Sequence, residues 1–214
     1  MDNSPTPGPA RHKPVIGLLG APGSGKSFVA KVFQEHGAGV IDADRLAREA
    51  LDEPTVRETL RQWWGDAVID EHGRVDRRAV GERVFDDPAA LRRLEAVVHP
   101  RVHAGRAAMR AKYEADPGVR AIVEDCPLLL EQGLDGDCDV LVFVDAPQAV
   151  REARVRERRG WSSAELARRE KNQASLDIKR ERADHIVNNG AERLLAYEQA
   201  RRVLSQILQP SEPA

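Results

Sequence analysis

Val15-Ile16-Gly17-Leu18-Leu19-Gly20-Ala21-Pro22-Gly23-Ser24-Gly25-Lys26-Ser27 is the stretch that decides the fold. Its first five residues form an unbroken apolar run that stops at a glycine, as a strand buried on both faces does. From Gly20 to Ser27 it fits the pattern G-x-x-x-x-G-K-S/T at every fixed position. Lys26 to His36 then carries helical spacing, with Val29, Val32 and Phe33 on one face. Strand, glycine-rich turn and helix together are the context in which this pattern binds phosphate. Glycines let backbone N–H groups turn inward around phosphate oxygens, and the helix N-terminus adds its partial positive charge. Lys26 can then reach the β- and γ-phosphates, the Ser27 hydroxyl can ligate Mg²⁺, and the N–H of Phe28 is placed to meet the α-phosphate. The loop therefore implies a nucleoside triphosphate with magnesium. It leaves the acceptor of the phosphoryl group open.

Further apolar runs follow at Gly39-Val40-Ile41, Val119 to Val123, Val140 to Val144 and, more weakly, His185-Ile186-Val187. Strands alternating with helical stretches predict an α/β fold with a parallel, doubly wound sheet of five strands flanked by helices. Two helical inserts interrupt it, at about 45–115 and 162–182. Asp87 before Pro88 predicts a helix start, because proline's missing N–H costs nothing in the first turn. Ser162 and Glu165 form a capping box. His99 precedes Pro100, which biases its backbone toward an extended conformation, so a helix should end there. Residues 1–13 and 209–214, rich in Pro, Gly and polar residues, read as disordered tails around one domain at 14–208.

The 214 residues suit one domain with inserts and a core that needs no disulfide or metal staple. The 33 basic and 35 acidic residues nearly cancel, which argues against a nucleic-acid binder. The 2 cysteines, Cys126 and Cys138, are too few for a disulfide framework or a four-cysteine zinc site and read as free thiols in a reducing cytoplasm. No apolar run is long enough to span a membrane, and the first residues lack the pattern of a signal peptide.

Asp42 and Asp44 stand just past the second strand, at the edge where open α/β sheets bind ligands. Two apart on an extended chain, they would point the same way, and one could accept a proton from an attacking hydroxyl or hold Mg²⁺. A plain helix cap followed by a solvated helix explains the same residues equally well. Arg48, one helical turn beyond Asp44, could meet a phosphate. Asp125, ending the third strand, is placed to orient a magnesium shell, and Glu124 beside it reads as surface. Arg151, Arg154, Arg158 and Arg159 share a helical face and its end, before the hinge-like Gly160. Arg168, Arg169, Arg180 and Arg182 read as a solvated face. Trp63 and Trp64 read as packing the first insert onto the sheet.

Several segments together resemble the dephospho-coenzyme A kinases: the phosphate loop, Val40 to Arg48, Val98-His99-Pro100, Asp125 to Glu131, Arg158-Arg159-Gly160, Gln173, Ala183-Asp184 and Val187 to Gly190. Adenylate kinases lack this set. The resemblance spans about residues 14–208. It implies a P-loop kinase-type sheet with a helical acceptor-binding insert (about 45–115) and a helical lid (about 159–182). It implies transfer of the ATP γ-phosphoryl group to the ribose 3′-hydroxyl of dephospho-coenzyme A. Another P-loop small-molecule kinase, such as a nucleoside monophosphate kinase, is the alternative. Position by position, the resemblance implies that Gly23, Ser24, Gly25, Lys26, Ser27 and Phe28 hold the ATP phosphates, with Mg²⁺ at Ser27 and Asp125. Asp44 is the implied base or hydroxyl-orienting acid, and Lys26 and Arg159 complete the catalytic group. Arg48, His99, Leu129 and Glu131 border the acceptor, and Asn189 belongs to the loop at the adenine. A cytoplasmic protein, monomeric or weakly oligomeric, is expected. The family loop usually reads Thr-Gly-Gly-Ile-Gly where this chain has Leu19 to Gly23, so Leu19 removes a hydroxyl and Pro22 an N–H.

Overall fold

A computed structural model describes residues 12–190 and 192–209. Most of the expected N-terminal tail, and residues 210–214 of the C-terminal one, lie outside the described residues. Of the former, His12 and Lys13 are described. His12 Nε2 lies 3.0 Å from Asp139 Oδ2, and Lys13 Nζ donates to the Tyr113 and Asp116 carbonyls.

The chain divides into two compact units, Met1–Ile41 with Lys112–Ala214, and Asp42–Ala111. The first is built on five strands, β1 (Val15–Leu19), β2 (Ala38–Asp42), β3 (Ala121–Asp125), β4 (Val140–Asp145) and β5 (His185–Asn188), ordered β2-β3-β1-β4-β5. β1 runs parallel to β3 and β4, with Gly17 opposite both Glu124 and Leu141, and β5 runs parallel to β4. The sequence reading of a five-stranded parallel sheet therefore holds. Helix α1 (Lys26–Glu35) follows the phosphate loop. Its Val29, Val32 and Phe33 enter a core shared with Ile16, Leu18, Val123, Val142 and Val187.

β3 starts two residues later than the apolar run suggested. Asp116 accepts hydrogen bonds from the N–H groups of Gly118 and Val119, which closes a turn through Val119 and moves the strand on to Ala121–Asp125. Glu124 is consequently 1% exposed, not at the surface as expected. β3 is buried along its whole length, as a strand of a parallel sheet covered on both faces is, so it leaves Glu124 no solvent face.

The second unit holds α2 (Ala43–Asp52), α3 (Pro54–Trp64), α4 (Arg77–Val84) and most of α5 (Pro88–Ala115). Asp87 caps α5 as expected, accepting from the Ala89 and Ala90 N–H groups at 2.9 and 3.0 Å. The expected break at His99-Pro100 is absent, and α5 continues through Pro100. Proline removes one N–H of the ladder, but tertiary ties hold the helix across that point. Arg101 donates to the Val97 carbonyl at 2.7 Å and to Glu53 Oε2 at 2.7 Å, and Leu46 packs against Gly105. Trp63 and Trp64 do pack a core, the second unit's own, formed by Val56, Leu60, Val68, Val75 and Val80.

Candidate active site

Three glycines of the phosphate loop have positive φ, and Gly25 shows why its type is required. Its φ is +96°, and a Cβ there would lie 2.1 Å from Asn189 Nδ2. That amide is buried and donates to the Ser24 carbonyl at 2.7 Å. Gly25 is also the N-cap of α1, and it offers no side chain to the N–H groups of the first turn. The positive end of the helix dipole thus faces the loop with no side-chain cap, which favours an anion there. The Phe28 N–H, expected at an α-phosphate, donates to the Gly25 carbonyl at 2.9 Å. Within the loop, Ser24 N–H donates to the Ala21 carbonyl at 3.1 Å, so Pro22, which lacks an N–H, takes nothing from that turn.

Ser24 Oγ is buried and has no hydrogen-bond partner among the described residues. A buried hydroxyl without a partner is costly unless a ligand supplies one. Lys26 Nζ donates to the Gly20 carbonyl at 2.9 Å. Ser27 Oγ donates to Asp125 Oδ2 at 3.3 Å, so the two residues read from sequence as magnesium ligands meet. Among the described residues, no group of three or more His, Cys, Asp or Glu is arranged so that it could hold a metal ion by itself. One hydroxyl and one carboxylate suit a hard cation that keeps water and phosphate oxygens for its other positions, which is how Mg²⁺ binds. The residues fit the ion.

Arg154 was read as part of an arginine face leading to the lid. In α6 (Gln148–Arg159) it instead spans the phosphate loop, with NH1 at 3.2 Å from the Ser24 carbonyl and NH2 at 2.8 Å from that of Asn189. Burial, and then the nearby Arg158 charge, push its pKa down from the ordinary value. Arg151, one turn earlier, is 4% exposed, donates to the Ala146 carbonyl and pairs with Glu170. The sequence signal was present: Arg151 shares the apolar stripe of α6 with Val155, and a charge on such a stripe needs a built partner.

Asn189 holds the loop through its side chain, and its N–H donates to the Asp145 carbonyl at 2.7 Å. Arg159, the last residue of α6, is exposed. Its guanidinium carbon lies 4.8 Å from the Trp161 ring centroid, and that of Arg169 lies 4.1 Å from it. Trp161 is fixed in place by the helix end, where Gly160 is left-handed and Trp161 N–H reaches back to the Val155 carbonyl at 3.3 Å. Ser162 caps α7 (Ser163–Lys171) through the Glu165 N–H as expected, while the Glu165 carboxylate is held by Arg168 and Arg169. Those hydrogen bonds, with Arg168 first, hold its pKa below the ordinary value. The arginines read as a solvated face are exposed as expected, and two of them also pair at the surface, Arg180 with Asp145 and Arg182 with Asp135.

Leu129, expected to border the acceptor, is 1% exposed and fills the space over Gly17. Its side chain belongs to the core, because the chain after Asp125 turns back on itself before Leu134. Glu131 Oε1 accepts the Ala174 N–H.

In the second unit, Asp42 and Asp44 do not share a side of an extended chain. α2 begins at Ala43, so Asp42 is its N-cap, accepting from the Arg45 N–H at 2.8 Å, and Asp44 is exposed in the first turn. The helix-cap reading was right for Asp42. Arg48 Nε donates to the Asp44 carbonyl at 3.0 Å, and Arg48 NH2 lies 3.8 Å from Asp42 Oδ2. His99 is exposed on α5, its ring edge-on to His103 at 6.4 Å.

The dephospho-CoA kinase family model matches residues 14–194. The dephospho-CoA kinase of Anaeromyxobacter dehalogenans is 42% identical over 198 residues, covering 90% of this chain and 92% of its own. That of Deinococcus radiodurans is 38% identical over 189 residues, covering 88% and 90%. A crystal structure of the Thermus thermophilus protein TT1252 superposes with a TM-score of 0.77 at 36% identity, covering 94% of this chain and 100% of that one. A Campylobacter jejuni dephospho-CoA kinase, 20% identical, shares the fold with a TM-score of 0.62 over 91% of this chain and 97% of its own. A phosphate loop on a β2-β3-β1-β4-β5 sheet, matched by that family model and by relatives of this similarity along almost their whole length, places the chain in the dephospho-CoA kinase family.

Proposed function

We propose that this protein transfers the γ-phosphoryl group of ATP to the ribose 3′-hydroxyl of dephospho-coenzyme A, giving coenzyme A and ADP. The observation that carries this reading is the phosphate loop with Ser27 against Asp125, in a chain of this family. In the transfer, a bond forms between the 3′-oxygen and the γ-phosphorus. The bond to the β,γ-bridging oxygen breaks, and ADP leaves with its electron pair. The hydroxyl proton passes to the Asp44 carboxylate, or late in the step to solvent with Asp44 orienting the hydroxyl. Asp44 suits this role: its carboxylate is exposed and makes no hydrogen bond among the described residues, while Asp42 is used as a cap.

Lys26 and the N-terminal end of α1 hold the phosphate chain. Ser27 and Asp125 would hold Mg²⁺, which neutralises charge on the phosphates. Arg159 adds positive charge from the lid, and Asn189 fixes the loop beside the adenine. Arg48, His99 and Glu131 recognise the acceptor. The protein works in the cytoplasm as a monomer or weak oligomer, on small molecules and not on nucleic acid. The near-balanced charge supports this, and so does the lack, among the described residues, of a helix long and apolar enough to cross a membrane.

ADP release with Mg-ATP and a panel of acceptors tests the reading. Dephospho-coenzyme A should be preferred over AMP and CMP. Asp44→Asn should lower kcat at least about a hundredfold, in the range of a lost acid–base group, with the unfolding midpoint unchanged. Near-normal turnover in that variant would remove Asp44 from the chemistry.

A further inference from the structure

Gly23 of the phosphate loop packs directly on helix α6. A Cβ there would stand 2.7 Å from the Arg151 carbonyl oxygen and 2.9 Å from Val155 Cγ1. Arg154, between those two residues, reaches the Ser24 carbonyl, and the Asp145 carbonyl just before the helix takes the Asn189 N–H. The stretch from Asp145 to Val155 is thus a wall against which the loop is held.

The same stretch holds the helices that follow it, all within one compact unit. At the start of α7, Ser163 Oγ donates to Glu152 Oε2 at 3.0 Å. Near its end, Glu170 accepts from Arg151 NH1, while Arg151 Nε donates to the Ala146 carbonyl at 3.1 Å. α8 (Leu176–Glu181) is tied back by Arg180, which donates to Asp145 Oδ2 at 2.5 Å. These ties are not equal. The Arg180 side chain is 49% exposed, and an ion pair in water holds little. That of Arg151 is 5% exposed, so moving α7 away strands a buried guanidinium without its carboxylate. Arg151 therefore presses on Gly23 with its backbone and fixes α7 with its side chain.

We propose that Arg151 and Glu170 are positioning residues: their buried pair sets α7, with Arg169 and the Trp161 ring beside Arg159, in a fixed place relative to the phosphate loop, so that the lid stands ready and excludes water when the phosphoryl group moves. The proposal rests on the phosphoryl-transfer reading of the site. Neither side chain touches the nucleotide in this role; the pair acts through α6 and α7.

Two measurements on the full chain test it, with wild type, Glu170→Ala and Glu170→Gln. The first is amide hydrogen exchange without substrates. Exchange in α7 should speed up about tenfold or more in Glu170→Ala and about threefold in Glu170→Gln, which keeps an acceptor for Arg151, while β1 and α1 exchange as in wild type. Unchanged exchange in α7 overturns the proposal. The second compares phosphoryl transfer with ATP hydrolysis in the absence of acceptor. In Glu170→Ala, kcat for transfer should fall about tenfold and the ratio of hydrolysis to transfer should rise about threefold or more. ATP affinity by calorimetry should stay within about twofold, since Lys26 and the end of α1 are untouched. A wild-type kcat, or an unchanged ratio whatever the affinity, identifies a purely structural tie and overturns the proposal. Should Glu170→Ala not fold, Glu170→Gln decides by the same ratio. Transfer is measured with whichever acceptor the panel identifies, so a failure of dephospho-coenzyme A as substrate leaves this test intact. A wild type that transfers to no acceptor overturns both.

Discussion

Gly25→Ala combined with Asn189→Ala tests how the phosphate loop is held. The alanine methyl at Gly25 meets two obstacles. The backbone sits at φ +96°, which costs an L-residue about 1–2 kcal/mol. The new Cβ would also stand 2.1 Å from Asn189 Nδ2, so the buried amide must leave the Ser24 carbonyl, 2.7 Å away. Losing that buried bond costs about 1–3 kcal/mol, so Gly25→Ala alone should cost about 2–5 kcal/mol. Asn189→Ala alone loses only the bond, about 1–3 kcal/mol. In the double variant the bond is lost once and the clash is gone, leaving a total close to that of Gly25→Ala alone. The coupling in the double-mutant cycle is therefore the value of the bond, about 1–3 kcal/mol. Urea unfolding midpoints at matched m-values supply all four corners of the cycle. Additivity within about 0.5 kcal/mol would refute the reasoning, because independent sites add to that degree.

Arg154→Met keeps the aliphatic stem of the side chain and removes the guanidinium from the Ser24 and Asn189 carbonyls. Charged hydrogen bonds of this kind are worth about 1.5–3 kcal/mol each. Both urea midpoint and ATP affinity should fall, and a variant with wild-type affinity would show that the loop holds its shape without the arginine. Trp161→Ala removes a ring stacked with Arg159 and Arg169, worth about 0.5–1 kcal/mol for each exposed contact. If Arg159 leaves that ring to meet the transferring phosphoryl group, kcat should rise about two- to fivefold, the rate equivalent of 0.5–1 kcal/mol. A fall in kcat would mean that the ring holds Arg159 in its working position. Pro100→Ala restores the N–H missing from α5 and should raise stability by about 1–3 kcal/mol, read as a higher melting temperature. Because His99 is the adjacent residue, KM for the acceptor should rise in the same variant, and an unchanged KM would separate His99 from acceptor binding.

What could be read from the sequence is what neighbouring residues determine. The run from Val15 to Ser27 contains strand, turn and helix in one stretch, and the caps at Asp87 and Ser162 are local chemistry as well. Most errors arose where a distant partner decides. Glu124 is buried because β3 is covered on both faces along its whole length, which no spacing within β3 records. Asp42 and Asp44 were assigned the period of a strand, although the capping reading already offered for them requires that of a helix. With α2 starting at Ala43, the cap is taken by Asp42 and Asp44 is left exposed, which narrows two candidate carboxylates to one. Pro100 obeys a local rule that Glu53, through Arg101, and Leu46 override from other parts of the unit. Arg154 is the clearest case. It was read as one of an arginine face leading to the hinge at Gly160, because the carbonyls that accept it lie 130 and 35 positions away in sequence. A basic residue is buried only where the fold supplies acceptors for it, and in this sheet those acceptors gather at the strand ends where an anion is expected. Arg154, hard to read from the sequence, is for that reason tied to the phosphate loop itself.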